Sequence, residues 1–227
     1  MTNDIIGLNS LYGIPGRLIF REDSGGLVFA DVKNEFAEGR IYLQGGQATH
    51  FQPKGQESLL WVSKSSLYET GKAIRGGIPV CWPWFGDHPS NGDKPAHGFA
   101  RILPWKVLGT EETDSRETII RLSLHDNEST RAIWPYSFSL ELNALLGKRF
   151  SVSLLIKNCG DEPFTCTGAL HSYFNVGDSR RIQVLGLEGK DYLDKVDGFN
   201  RKHQVGPVVV EKEIDRIYLD VPGECFI

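Results

Sequence analysis

Between residues 137 and 156, apolar and polar side chains alternate with a period of two. Phe138, Leu140, Leu142 and Ala144 hold one phase, and Ser137, Ser139, Glu141 and Asn143 hold the other. Phe150, Val152, Leu154 and Ile156 repeat the pattern after Gly147-Lys148-Arg149, a turn-like triplet. Successive side chains of a strand point to opposite faces, so these runs predict an antiparallel hairpin with one buried face. Ile120, Leu122 and Leu124, opposed by Arg121 and Ser123, predict a shorter strand. Residues 40–46, 58–63 and 182–187 read as further strands. Helical spacing is scarce, and the polar stretch from Asn127 to Ile133, opening on Asn-Glu-Ser-Thr, is the best candidate for a helical turn.

Composition sharpens this picture. The 227 residues include 25 glycines, 11 prolines, five tryptophans, seven tyrosines and twelve phenylalanines, as expected of short strands joined by turns. No repeat, low-complexity tract or Pro- or Ser-rich linker divides the chain. The expectation is one all-β sandwich domain over residues 1–227, long enough to bury a sizeable core. Lysine plus arginine is 25 against 29 acidic residues, a net charge of −4. That balance lacks the basic excess that nucleic acids or membrane surfaces call for, and no stretch approaches the roughly 20 apolar residues of a membrane span. Met1-Thr-Asn-Asp-Ile-Ile has neither the basic start nor the apolar core of a signal peptide. Cys81, Cys159, Cys166 and Cys225 form no CxxC pair and no Cys/His cluster with zinc-ligand spacing. Free thiols in a cytoplasmic protein follow, with a Cys159–Cys166 disulfide as the alternative.

The chemistry gathers in Arg75-Gly-Gly-Ile-Pro-Val-Cys-Trp-Pro-Trp-Phe-Gly86 and His97-Gly-Phe-Ala-Arg101. Guanidinium is a planar fork of donors suited to phosphate, and glycine lets backbone and ligand approach closely. Arg75 and Arg101 are read as a shared anion site; taken singly, each could be a solvated charge. His171, in Thr167-Gly-Ala-Leu-His-Ser-Tyr-Phe-Asn175, could give and take a proton near neutral pH or be a core histidine bonded to backbone. His97 could touch ligand or only hold a turn. Asp215 could accept from sugar hydroxyls or pair with Arg216 or Arg201. Trp82, Trp84, Phe85 and Trp105 could stack on a sugar, although tryptophans of an all-β chain usually serve the core.

Taken in order, Arg75-Gly-Gly-Ile-Pro, Pro83-Trp-Phe-Gly86, His97-Gly-Phe-Ala-Arg101, Leu170-His-Ser-Tyr-Phe-Asn175 and Asp215-Arg-Ile-Tyr218 resemble the glucose-6-phosphate 1-epimerases, a branch of the aldose 1-epimerase family. The likeness runs from about Leu27 to the last residue. It implies a galactose-mutarotase-like antiparallel β-sandwich (supersandwich) with an open groove, and interconversion of the α and β anomers of a hexose 6-phosphate without metal or organic cofactor. It further implies His171 as the catalytic acid and Arg75, Arg101 and Asp215 as substrate-binding residues. His97 enters as a weaker ring contact, and Ala96 can offer only its backbone.

Anomer exchange needs a base at the hydroxyl of carbon one and an acid at the ring oxygen, each typically worth about 10²–10⁴ in rate. A neighbouring carboxylate or the bound phosphate would favour protonated His171. The base that the resemblance implies is a glutamate in a later C-terminal strand, and no counterpart is found before Ile227. Glu213 and Glu224 belong to a different motif. The expectation is therefore a sandwich lacking its last strands and self-associating through exposed sheet edges. Its alternative function is a catalytically silent sugar-phosphate-binding module.

Overall fold

The computed structural model describes residues 4–90, 92–221 and 223–227. Residues 1–3, on which part of the leader reading rests, lie outside the described residues. The chain divides into two compact units, Met1–Asn175 and Val176–Ile227.

The first unit opens with a helix that periodicity does not announce, α1 (Ile5–Tyr12). Its signal is Asp4, whose carboxylate caps the first turn by accepting from the Gly7 N–H at 2.8 Å. Ile5, Leu8 and Tyr12 then pack on the core. Four antiparallel strands follow in sheet order, β1 (Leu18–Glu22), β2 (Val28–Lys33), β3 (Ala37–Tyr42) and β4 (Gln47–Pro53). After the two-residue β5 (Val80–Cys81) comes a second antiparallel sheet of β6 (Lys106–Glu112), β7 (Thr118–His125), β8 (Phe138–Leu146) and β9 (Phe150–Asn158), also in chain order. A short strand, β10 (Ala169–Leu170), pairs back onto β5.

The alternating runs of the sequence are these strands. β8 pairs with β9 from Phe138↔Asn158 to Leu146↔Phe150, and Leu122 of β7 faces Leu142 of β8. The expected helical turn is α2 (Glu128–Ile133). Asn127 accepts from the Thr130 N–H at 3.0 Å while Thr130 accepts from the Asn127 N–H at 2.8 Å, a reciprocal cap.

The two four-stranded sheets lie face to face. Phe20, Val32, Ile41 and Phe51 of one sheet and Ile120, Phe138, Leu140 and Leu146 of the other share a single buried core. Each large apolar side chain so buried stabilises by about 1.5–3 kcal/mol. Phe51 stacks on Phe150 across the layers with centroids 4.6 Å apart. The Asn34 amide donates to the Leu146 carbonyl at 2.9 Å and to the Thr118 hydroxyl at 3.1 Å, tying the sheets at one corner.

Three strand expectations need correcting. β9 is the edge of its sheet, and its inner face stays half-covered only as far as Leu154; Leu155 and Ile156 are exposed. Residues 58–63 form no regular strand: Leu60 and Val62 make single bridges to Phe174 and Gly76. The run at 182–187 shrinks to a two-residue strand and one bridge at Leu185 in the second unit.

That unit holds β11 (Gln183–Val184), β12 (Asp191–Asp194), β13 (Asn200–His203), β14 (Val208–Val209) and β15 (Arg216–Tyr218). β11 pairs with β14, while β12 lies between β13 and β15. Charges pair across its three-stranded sheet on both faces: Arg201 and His203 reach Asp191, and Lys202 bridges Asp194 and Asp197. These hydrogen bonds hold all three carboxylates below their ordinary pKa.

All four cysteines carry free thiols. Among the described residues no helix is long and apolar enough to cross a membrane, and no three His, Cys, Asp or Glu side chains are grouped to hold a metal ion.

Candidate active site

Residues 75–86 run antiparallel to residues 167–173, bonded at every second residue. The Thr167 N–H reaches the Pro83 carbonyl at 3.0 Å, β10 pairs with β5, the His171 N–H reaches Pro79 at 3.1 Å, and the Tyr173 N–H reaches Gly77 at 2.9 Å. Proline has no N–H to give, and here Pro79 and Pro83 are asked only to accept. The period of two brings His171 and Tyr173 to one side, where their rings stack with centroids 4.8 Å apart and planes at 30°.

A second turn brings in the rest. The Phe85 N–H donates to the Thr167 hydroxyl at 3.0 Å, and its ring faces His171 at 5.8 Å and 22°. His97 meets Phe85 edge-on at 4.8 Å and lies 6.1 Å from His171, nearly perpendicular to it. His97 has φ +62°, a left-handed conformation that a non-glycine residue adopts only when held. Gly86 holds it twice, accepting from the His97 N–H at 2.6 Å and donating its own N–H to Nδ1 at 3.1 Å. An accepting Nδ1 puts the proton of the neutral ring on Nε2. The next residue, Gly98, must be glycine: φ is +70° and a Cβ would collide with the Trp82 carbonyl.

His171 has its Nδ1 buried and, among the described residues, unbonded. Arg101 donates from Nη2 to the Ala96 carbonyl at 2.7 Å, so its guanidinium anchors the residue before His97. Arg101 also acts on Cys81, whose thiol is pushed up by burial and pulled partly back by that charge. Arg75 lies exposed at the opposite end of the 75–86 segment, and no carboxylate pairs with it among the described residues.

Residues 31–227 match the sequence model of the aldose 1-epimerase family. The chain belongs to the aldose 1-epimerase family. It is similar to the Escherichia coli (strain K12) and Salmonella typhimurium proteins named "Putative glucose-6-phosphate 1-epimerase", each 39% identical over 199 residues that cover 86% of this chain and 63% of the relative. A protein of the same name from Cenchrus ciliaris is 36% identical over 210 residues, covering 88% and 62%. The chain thus spans somewhat under two thirds of the length of the curated relatives it matches. Among solved structures, a Salmonella typhimurium protein described as a "putative mutarotase" superposes with a TM-score of 0.85 at 34% identity, covering 96% of this chain and 72% of that one. A galactose mutarotase-like protein from Lactobacillus casei shares the fold, with a TM-score of 0.60 at 18% identity, covering 84% and 67%. The galactose-mutarotase-like antiparallel architecture expected from sequence is the observed one.

In this member of the aldose 1-epimerase family, His97 and His171 of the first unit meet at Phe85, and Arg101 is bonded to Ala96, the residue before His97. Asp215 belongs to the second unit, just before β15, where it is exposed and pairs with Lys195. Neither arginine considered for it is its partner: Arg216 lies over the Tyr192 ring at 4.6 Å, and Arg201 binds Asp191. Trp82, Trp84 and Trp105 are core residues. Only Phe85 of that aromatic set, 39% exposed, borders the histidines. Two residues escaped the sequence reading, Tyr173 and Trp61, whose rings stack at 6.0 Å and extend the row beyond His171. Tyr173 could have been found from its spacing of two from His171; Trp61 carries no local signal.

Proposed function

We propose that this chain binds a hexose 6-phosphate and takes part in exchanging its α and β anomers, with His171 as general acid. The observation that carries the reading is the meeting of two imidazoles, 6.1 Å apart, beside a half-exposed aromatic ring in a chain similar to proteins named for glucose-6-phosphate epimerisation. Protonated His171 gives its proton to the ring oxygen as the bond from carbon one to that oxygen breaks. The hydroxyl proton on carbon one leaves to a base, the aldehyde turns about the bond between carbons one and two, and the ring recloses on its other face as the protons return. Stacking between Phe85 and Tyr173 fixes the plane of the His171 ring. His97, with its proton held on Nε2, donates to a sugar oxygen. Arg75 and Arg101 supply the positive charge. No glutamate of this chain is assigned as the base.

The deciding experiment measures anomer exchange of glucose 6-phosphate by polarimetry alongside binding by calorimetry. Exchange faster than buffer, lost in His171→Ala while affinity stays within a few-fold, supports the reading. Normal turnover in His171→Ala removes His171 as the acid. Retained binding with exchange no faster than buffer selects a silent sugar-phosphate-binding module. Self-association through the exposed edge of β9 belongs to the same proposal, and a monodisperse monomer in light scattering would count against it.

A further inference from the structure

We infer that Gln47, the first residue of β4, is a positioning residue for Arg75: its buried amide holds the two peptide carbonyls on either side of that arginine and so fixes the backbone from which the guanidinium is presented. This rests on the sugar-phosphate reading above, in which Arg75 supplies positive charge, and names the buried side chain on which that role depends.

Residues 74–80 are a buried run with one exception. Ile74 and every residue from Gly76 to Val80 are buried, and Arg75 between them is exposed. A buried chain must bond its peptide groups, and here one side chain bonds two of them. Gln47 Nε2 donates to the Ile74 carbonyl at 2.9 Å and to the Gly76 carbonyl at 2.6 Å. The peptide groups of Arg75 itself go elsewhere: its carbonyl accepts from the Ser63 N–H at 2.9 Å, and its N–H donates to the Ser66 hydroxyl at 2.7 Å. Three successive carbonyls are thus engaged, and the backbone at Arg75 is held while its side chain is left outside.

The residue type suits the place. Two carbonyls on one nitrogen require two N–H donors, and a primary amide has two. Gln47 is wholly buried and its Oε1 has no partner among the described residues, so the amide is oriented for its donors and leaves its acceptor idle. The fold sets it there: Gln47 pairs with Tyr42 at the end of β3, and the Ile78 N–H bonds to the Ala48 carbonyl at 2.8 Å, so residues 74–78 run against the start of β4. Gln44, across the Gly45-Gly46 turn, is built alike but holds something else. Its Nε2 donates to the Glu69 carbonyl at 2.7 Å and to the Lys72 carbonyl at 2.5 Å, and its Oε1 accepts from the Gly71 N–H at 3.0 Å. Both glutamines are buried and both bond two carbonyls, yet only those on Gln47 flank Arg75.

The test is a mutant cycle read as the ratio of the dissociation constants for glucose and glucose 6-phosphate. Calorimetry supplies that ratio for the chain, for Gln47→Met, Gln44→Met and Arg75→Ala, and for Gln47→Met combined with Arg75→Ala, with folding checked by circular dichroism. Gln47→Met keeps the length of the side chain, removes its donors, and should lower the ratio about three- to tenfold. Gln44→Met also frees two carbonyls but should leave the ratio within about twofold of the unaltered chain. In the Arg75→Ala background Gln47→Met should lower the ratio no further, because the group it positions is gone. Where a methionine variant fails to fold, the asparagine variant, with the same donors one methylene short, carries the same comparison. A ratio unchanged by Gln47→Met, lowered equally by Gln44→Met, or lowered undiminished without Arg75 overturns the positioning role and leaves the sugar-phosphate reading intact. Failure of the unaltered chain to prefer glucose 6-phosphate overturns both.

Discussion

In β7 and β8 the neighbouring strands saturate the backbone and the side chains provide the stability: Ile120, Leu122, Phe138, Leu140 and Leu142 project into one core. The layer made of residues 75–101 and 167–175 is built the other way round. Among its described residues it contains only the two-residue strands β5 and β10 and one short helical turn, yet its backbone is bonded at Gly77, Pro79, Pro83 and Gly86. Its most chemical side chains, Arg75, Phe85, His97 and His171, are left partly or fully outside. Where shape comes from side-chain packing, few side chains remain for a ligand. Where shape comes from backbone bonding and forced turns, the side chains remain available.

That contrast can be broken from either side. Leu140→Ala, at a wholly buried site, should cost about 2–5 kcal/mol in urea unfolding. A cost below that of Phe85→Ala would show that the core is not where stability resides. Gly77→Ala attacks the other principle. Its φ is +64° and a Cβ would strike the Ala48 carbonyl, so thermal denaturation should reveal a loss of about 1–3 kcal/mol, together with weakened sugar binding, because the Tyr173 N–H is bonded to this residue. Phe85→Ala should change stability by less than about 1 kcal/mol but weaken glucose 6-phosphate binding about two- to tenfold. An unchanged affinity would take Phe85 out of the site.

The smallest effect is a pH dependence of the sandwich itself. Burial, with help from Arg40, lowers the His50 pKa against the opposing pull of Glu38 and Asp31. A histidine depressed in the folded state binds its proton more readily when unfolded, so its contribution is complete above the unfolded value of about 6.5 and fades as pH falls. The urea midpoint should therefore drop modestly between pH 7.5 and 5, and His50→Gln should flatten that drop. An equally steep drop in His50→Gln would assign the dependence elsewhere.

The same contrast decides what could be read from sequence. The alternation in β7, β8 and the first half of β9 is a direct print of burial on one face. Where β9 passes beyond Leu154 the print misleads, because an apolar phase says nothing about whether a layer lies over it. Residues 58–63 look like a strand by composition, but their hydrogen bonds go to Phe51, Tyr173 and Gly77, contacts no local window can show. Of the candidate site, His171, His97 and Arg101 were accessible because their residue types name the chemistry. Trp61 was not, since its place follows from how residue 173 pairs with residue 61.

Cys81 sits in β5 between the core tryptophan at 82 and the pairing that carries His171, and it is sealed from solvent with its thiol pushed up in pKa. Cys159 and Cys225 are exposed. An alkylating reagent should therefore modify those two at once and reach Cys81 only when β5 and β10 part. The delay before the Cys81 adduct appears is a clock, set by the chain's own composition, for transient opening of the histidine-bearing strand, and it needs no added label.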